Sequence, residues 1–119
     1  MIWACLNFIK NDDTTGNSTF KDAVGNMYTT GYFSGSDISF GNIVLKNTRD
    51  GFSDIVVVKY DKNGNVLWAN SAGGTGDDNG YGICADANGN VYVIGRFYSS
   101  SIKFGGNTFI NAGGDDMFL

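Results

Sequence analysis

The sequence predicts an all-β protein made of antiparallel four-stranded sheets. Three observations point to this fold class: the composition, an internal repeat, and the alternation of apolar runs with Gly-Asn turns. The chain of 119 residues contains 18 Gly, no Pro and no His, and all 12 acidic residues are Asp. Glu and Gln do not occur, whereas β-branched and aromatic residues are abundant. This composition supplies strands and turns for one small domain.

The chain repeats itself at a spacing of 64 residues. Segments 22–41 and 86–105 share 11 identical residues in 20 aligned positions, where average composition gives about one or two by chance. Trp3-Ala4 and Asp12-Asp13 recur as Trp68-Ala69 and Asp77-Asp78, at a spacing of 65 residues instead of 64. The sequence therefore holds nearly two copies of one unit, which indicates a repeat architecture.

Each unit is predicted to contain four strands. Taken from whichever copy shows each strand best, they are 81–85, 90–97, 54–60 and 65–70, with an extra hairpin at 38–45 expected at the rim. The turns Asp86-Ala87-Asn88-Gly89 and Asp61-Lys62-Asn63-Gly64 join strands in pairs. They predict hairpins because Asn and Gly tolerate the positive φ that a tight turn requires.

The strand faces predict how the sheets stack. Ile55 to Val58 and Val91 to Ile94 are apolar on both faces, so we expect both sides of each sheet to be covered. The first strand carries Gly80 and Gly82, which suit an inner strand crowded near an axis. The sequence thus predicts antiparallel four-stranded β-propeller blades in an incomplete propeller. Residues 1–16 are expected to be the tail of a preceding blade and its connection, 17–71 a first complete blade, and 72–119 a second blade truncated in its third strand.

Three motifs resemble one known family. They are Asp-x-x-Gly-Asn-x-Tyr-x-x-Gly-x-Phe, the run from Asp54 to Ala69, and Ala-Gly-Gly-Thr-Gly-Asp-Asp-x-Gly-Tyr-Gly-Ile from Ala72 onward. They are similar to the bacterial seven-bladed β-propeller repeat (SBBP repeat) family over almost the whole chain, least so over 5–20. The resemblance implies a fragment of about two blades from a bacterial secreted or cell-surface protein. It implies a non-catalytic binding or adhesion scaffold, since this family has no common catalytic activity.

Charge and apolar patterning bound the partners and the compartment. The net charge is −4 with scattered Lys and Arg, which argues against nucleic acid. No run approaches the roughly 20 apolar residues of a membrane span, and the start does not resemble a signal peptide. We expect an extracellular or cell-surface parent protein whose partners are adjacent blades or other copies, with a carbohydrate or protein ligand. Cys5 and Cys84 are expected to be free, buried thiols, with a disulfide as the alternative.

Few side chains point to chemistry. Without His there is no Ser-His-Asp triad and no His-ligated zinc. Gly73 to Asp78 matches a calcium β-roll motif once, so Asp77 and Asp78 are candidate ligands of a surface calcium ion; otherwise we predict no cofactor. The alternative is a glycine-rich connection between blades. The Asp61 and Asp86 turns resemble half an EF-hand loop, but they recur with the hairpins and are interpreted as structural.

Catalysis is not expected. Adjacent acids such as Asp77 and Asp78 point apart when extended, and they recur in both copies, which favours an architectural role. The alternative is a propeller hydrolase or lyase acting on polysaccharide, with its active site mostly outside this segment. Tyr32, Arg96 and Tyr98 differ between the copies and are the candidate ligand contacts.

The sequence is compatible with two assemblies. The chain is either a segment of a longer propeller or one of several copies that associate. In the second case, the strand from Ile2 to Leu6 would complete the last blade of another copy.

Overall fold

A computed structural model of the chain describes residues 14–40, 42–47, 51–99, 101–104, 107–110 and 116–118. These ranges contain strands and no helix, so they contain no helix able to cross a membrane. The strands are β1 (Thr14–Lys21), β2 (Met27–Phe33), β3 (Asp37–Phe40), β4 (Ile43–Lys46), β5 (Asp54–Tyr60), β6 (Val66–Ala72), β7 (Asp78–Ala85), β8 (Val91–Phe97), β9 (Ser101–Phe104), β10 (Asn107–Ile110) and β11 (Asp116–Phe118). Every strand pair is antiparallel. The predicted fold class is confirmed.

The first blade is a four-stranded sheet in the order β1-β2-β5-β6. Its tight turns at 22–26 and 61–65 place Gly25 and Gly64 at φ of 104° and 86°, a region that glycine enters without strain. The middle strand β5 is buried along almost its whole length. Its unbroken apolar run predicts this burial, because a strand covered on both faces has no polar side to alternate with.

The second sheet repeats the first with three strands, in the order β11-β8-β7. Its turn at 86–90 places Gly89 at φ of 84°. Both inner strands carry a bulge at equivalent positions, between Gly16 and Ser18 in β1 and between Gly80 and Gly82 in β7. The sequence repeat is therefore a structural repeat, down to an irregularity of the backbone.

The extra hairpin β3–β4 covers one face of the first blade. Ile38 and Phe40 are buried in one core cluster with β2, β5 and β6, and Ile43 and Leu45 pack against it. The hairpin is present as predicted. It also supplies part of the apolar cover that the sequence predicts for this sheet.

The second sheet covers the opposite face of the first blade. Its inner strand β7 lies against β1, β2 and β5. A second core cluster joins Tyr28, Ile55 and Val57 of the first blade to Ile83 and Phe97 of the second sheet. Gly80 is required at the crossing, because a Cβ atom there would lie 2.2 Å from Thr30 Oγ1. We call this contact the seam.

Three expectations are wrong. Cys84 is a free thiol, but it is exposed rather than buried, because its side of the second sheet faces away from the seam. For the same reason β8 is not covered on both faces, and Tyr92 and Ile94 remain exposed. In addition, β7 begins at Asp78 instead of residue 81, since the bulge lets 78–80 continue the ladder with β8.

Some predictions concern residues outside the ranges that the structure describes. Cys5, Asp12, Asp13 and the strand from Ile2 to Leu6 lie outside the described residues. The predicted blade boundaries at 16/17 and 71/72 remain predictions, although the strands of the first sheet run from Thr14 to Ala72.

Candidate functional site

Most of the sequence-predicted site residues lie at one edge of the stacked sheets. We call it the connection edge and define it by Ser53, Asp77, Asp78, Tyr98, Ser99 and the segment 73–77, which connects β6 to β7. The three Asp-x-x-Gly-Asn turns, at 22–26, 61–65 and 86–90, lie at the opposite edge, which we call the turn edge. The two edges present different chemistry.

The first two glycines of the segment 73–77 have no room for a side chain. A Cβ atom at Gly73 would lie 1.8 Å from Asp54 Oδ1, and one at Gly74 would lie 2.5 Å from the carbonyl oxygen of Ser101. The glycines that resemble a calcium β-roll therefore have a steric reason to be there. They let the connection pass between the two sheets.

Asp78 is the buried carboxylate of this edge. It accepts hydrogen bonds from the Ser99 hydroxyl at 2.6 Å, from the Ser99 amide at 3.2 Å and from the Gly74 amide at 3.1 Å. Burial raises the pKa of Asp78, the nearby Asp54 carboxylate raises it further, and the bonds from Ser99 and Gly74 oppose both effects. Asp78 thus holds the connection against the end of β8.

Asp77 joins the two sheets directly. Its Oδ1 accepts a hydrogen bond from the Ser53 amide at 2.9 Å, while the Asp78 amide donates to the Ser53 carbonyl at 2.8 Å. Asp77 and Asp78 therefore point to different partners. Among the described residues, no group of three or more His, Cys, Asp or Glu side chains could hold a metal ion. A calcium ion at Asp77 and Asp78 stays a prediction that these contacts do not favour.

The three candidate ligand-contact residues lie near this edge. Tyr98 is 54% exposed, and its amide donates to the Asp77 carbonyl at 2.9 Å. Arg96 is exposed on β8, where it pairs with Asn79 of β7. Tyr32 is half-buried on β2, on the side covered by the second sheet. The structure brings Arg96 and Tyr98 to the same end of β8, beside Asp77, and leaves Tyr32 partly engaged in the seam.

At the turn edge, each Asp carboxylate holds its own turn. Asp86 accepts from the amides of Asn88 and Asn90, both at 2.9 Å, and from the Asn90 side chain at 2.9 Å. Asp22 and Asp61 repeat this pattern. Hydrogen bonds from Asn65 and Asn90 lower the pKa of Asp61 and Asp86. Burial raises the pKa of Asp22, but bonds from Asn26 and Tyr28 outweigh it and the net shift is downward.

A groove of about 350 Å³ runs between the turns at 22–26 and 86–90. Asp22 and Asp86 stand on its two sides, with Tyr28 and Lys59 between them, and the Lys59 ammonium lies 5.2 Å from the centre of the Tyr28 ring. The two carboxylates already accept several hydrogen bonds within their own turns, which leaves the groove little capacity to ligate a cation.

The sequence analysis did not identify Ser53 and Ser99, the two serines that donate hydrogen bonds to Asp77 and Asp78 at the connection edge. The repeat carries no signal for them, because the equivalent positions in the other copy are Asp115 and Gly35. Their role depends on partners 21 to 26 residues away in the chain.

The chain matches no protein-family model. It is 30% identical over 92 residues to an uncharacterised WD repeat-containing protein of Acanthamoeba polyphaga mimivirus. The match covers 74% of this chain but 7% of that protein. WD repeats form four-stranded propeller blades, so this likeness agrees with a repeated, propeller-like scaffold. It does not single out the bacterial repeat family that the sequence resembles.

Proposed function

We propose that this chain is a non-catalytic repeat segment of a bacterial secreted or cell-surface β-propeller protein, and that it binds a carbohydrate or protein ligand at the connection edge. Its bacterial origin and extracellular location rest on the resemblance of its motifs. Its role as a scaffold rests on the repeated blades.

One observation supports the choice of edge. Strands β2 and β8 occupy the same place in the two repeats. Near their ends, Gly31 and Phe33 of β2 are matched by Gly95 and Phe97 of β8, and all four are buried. The positions beside them differ between the blades, Tyr32 against Arg96 and Ser34 against Tyr98. Repeat proteins keep the residues that stack the units and vary those that meet ligands. Arg96 and Tyr98 add a cation and an aromatic ring, groups that are enriched at binding sites.

The test is a binding measurement on the whole chain. Fluorescently labelled protein is applied to a glycan array and to intact bacterial cells, beside the variants Tyr98→Ala and Arg96→Ala. We expect binding that falls roughly tenfold in each variant, the loss typical of an interface anchor. Lys62→Ala at the turn edge is the matched control and should bind as the wild type does. Binding that ignores both substitutions would refute the proposed edge.

The non-catalytic part is tested separately. Asp77 and Asp78, the adjacent acids of the connection edge, accept hydrogen bonds from different serines and do not face one another across a cleft. Incubation with polysaccharides should release no reducing sugar. Release that Asp77→Asn abolishes would favour the polysaccharide hydrolase instead.

A further inference from the structure

One face of the second sheet exposes large hydrophobic side chains to solvent. We call it the open face and define it by Cys84, Tyr92 and Ile94. Tyr92 is 44% and Ile94 41% exposed, and Cys84 is exposed beside them. Apolar side chains that adjoin one another on an exposed sheet face mark a candidate surface for another element to cover.

The repeat identifies the covered counterpart of this face. At a spacing of 64, Tyr92 corresponds to Tyr28 and Ile94 to Thr30. In the first blade these positions lie in the seam, where Tyr28 is 1% exposed and Thr30 is fully buried. The element that covers them is an inner strand, β7, and it crosses them with Gly80. The open face is thus the surface on which the next inner strand of this repeat packs.

The open face already has the conformation of a covered one. The Tyr92 hydroxyl donates to Asp86 Oδ2 at 3.2 Å, and in the seam the Tyr28 hydroxyl donates to Asp22 Oδ2 at 3.2 Å. The hydrogen bond is the same although one ring is exposed and the other is buried. A partner would therefore find this face preorganised, with little side-chain entropy left to lose.

The first blade carries the matching partner strand. Gly80, Ile83 and Ala85 of β7 correspond to Gly16, Thr19 and Lys21 of β1. Gly16 keeps the glycine that the crossing requires, and Lys21 is exposed. In place of Ala85, Lys21 would come to lie beside Tyr92 and Asp86. Asp86 remains ionised because its turn lowers its pKa, so the two charges are complementary.

We propose that two copies of this chain associate head to tail, with β1 of one copy packed across the open face of the other. The contact reproduces the seam between molecules instead of within one. Because the two surfaces differ, the contact is heterologous, and repeated association builds rings or filaments. This inference does not depend on ligand binding at the connection edge.

The test uses sedimentation velocity over a range of concentrations. We expect the wild type to form species larger than the 12.7 kDa monomer as concentration rises. Ile94→Asp places a charge on the open face, and Gly16→Val blocks the partner strand. Each substitution should raise the dissociation constant of self-association roughly tenfold or more, so each variant alone should sediment as a monomer at concentrations where the wild type associates.

The decisive sample is the mixture of the two variants. Ile94→Asp keeps an intact β1, and Gly16→Val keeps an intact open face, so an equimolar mixture should form a heterodimer and nothing larger. Leu67→Asp on β6, where Leu67 is 50% exposed, is the matched control and should associate as the wild type does. A wild type that stays monomeric, variants that still associate, or a mixture that stays monomeric would each overturn the proposal.

A second pair guards against misfolding. Tyr92→Ala removes the preorganised ring from the open face, and Thr19→Arg adds bulk to the partner strand. Each dilute variant is checked for a cooperative thermal transition before sedimentation. We expect the folded variants to repeat the result of the first pair, including heterodimer formation on mixing. Folded variants that associate like the wild type would count against the proposal.

Discussion

At the scale of single residues, the first Asp of each tight turn is the most informative position. Asp61 illustrates its role. Its Oδ1 accepts from the amides of Asn63 and Asn65, and its Oδ2 accepts from the Asn65 side chain. These bonds satisfy backbone donors that the ladder between β5 and β6 leaves unpaired. The same bonds explain why the turns look like half of a calcium loop, since both uses need a carboxylate that several groups can approach.

We predict that Asp61→Asn lowers the melting temperature at pH 7. Hydrogen bonds from Asn65 lower the pKa of Asp61 below its ordinary value of 3.8. The stability that the ionised form contributes is therefore present above pH 3.8 and is lost as the pH falls through the folded-state pKa. Thermal melts of both proteins at pH 7 and pH 2.5 check this. The difference should shrink in acid, and a difference independent of pH would contradict the ionic explanation.

Ser99 is the residue whose removal should most disturb the connection edge. Its hydroxyl donates to the buried Asp78 carboxylate and accepts from the Gly76 amide at 2.9 Å. Ser99→Ala should lower the free energy of unfolding at pH 7 by about 2 kcal/mol, the usual contribution of a hydrogen bond to a buried charge. Urea unfolding measures it.

The contribution of the Asp78 carboxyl to stability has the opposite pH dependence to that of the turn aspartates. Burial raises the pKa of Asp78, so its contribution favours the folded state below pH 3.8 and is lost as the pH rises through the folded-state pKa. Without Ser99 this pKa rises further, and the variant should lose more stability at pH 7 than at pH 4. An equal loss at both values would mean that Ser99 acts by packing alone.

At the scale of elements, the hairpin β3–β4 covers the hydrophobic core of the first blade and is part of that core. Phe40 is 5% exposed in the core cluster of the first blade, whereas Val44 on the facing strand is 51% exposed. Phe40→Ala should lower the free energy of unfolding by about 3 kcal/mol, because a large buried ring leaves a cavity. Val44→Ala, on the outer side of the same hairpin, should change it by less than about 0.5 kcal/mol. Urea unfolding of both variants distinguishes the two sides, and similar effects would show that the hairpin is not a cover.

The elements also show what could be predicted from sequence. The strands and the turns were predictable because their signals are local: Asp-x-x-Gly-Asn fixes each turn, and the apolar run of β5 fixes a strand covered on both faces. The bonds between Ser53 and Asp77 and between Ser99 and Asp78 were not, because they join residues distant in the chain that carry no repeat signal. The exposed side of β8 was missed for a further reason. Its pattern belongs to a covered strand, and sequence cannot tell whether the cover lies in the same molecule.

At the scale of the whole molecule, the seam decides whether the two sheets behave as one body. It combines an apolar cluster with polar bonds near the start of the inner strands, such as the Asn17 side chain donating to the Gly80 carbonyl at 2.7 Å. Asn17 is the bulged residue of β1, so the irregularity of one strand supplies a contact to the next sheet. The stacking of blades is thereby encoded in the backbone as well as in the apolar faces.

Gly80→Ala tests the seam directly. A Cβ atom there would lie 2.2 Å from Thr30 Oγ1, which donates to the Val56 carbonyl at 3.0 Å, and 3.3 Å from Ile55 Cγ2. Thr30 can yield only by giving up its hydrogen bond, so we expect a loss of about 2 kcal/mol in the free energy of unfolding. Adding Thr30→Ala to Gly80→Ala should recover part of that loss, because it removes the colliding atom. Urea unfolding of the two single variants and the double variant gives the coupling energy. If the effects of the two substitutions on the free energy of unfolding are additive, Gly80 and Thr30 do not pack against each other at the seam. The inference that a second copy packs on the open face in the same way would then lose its structural basis.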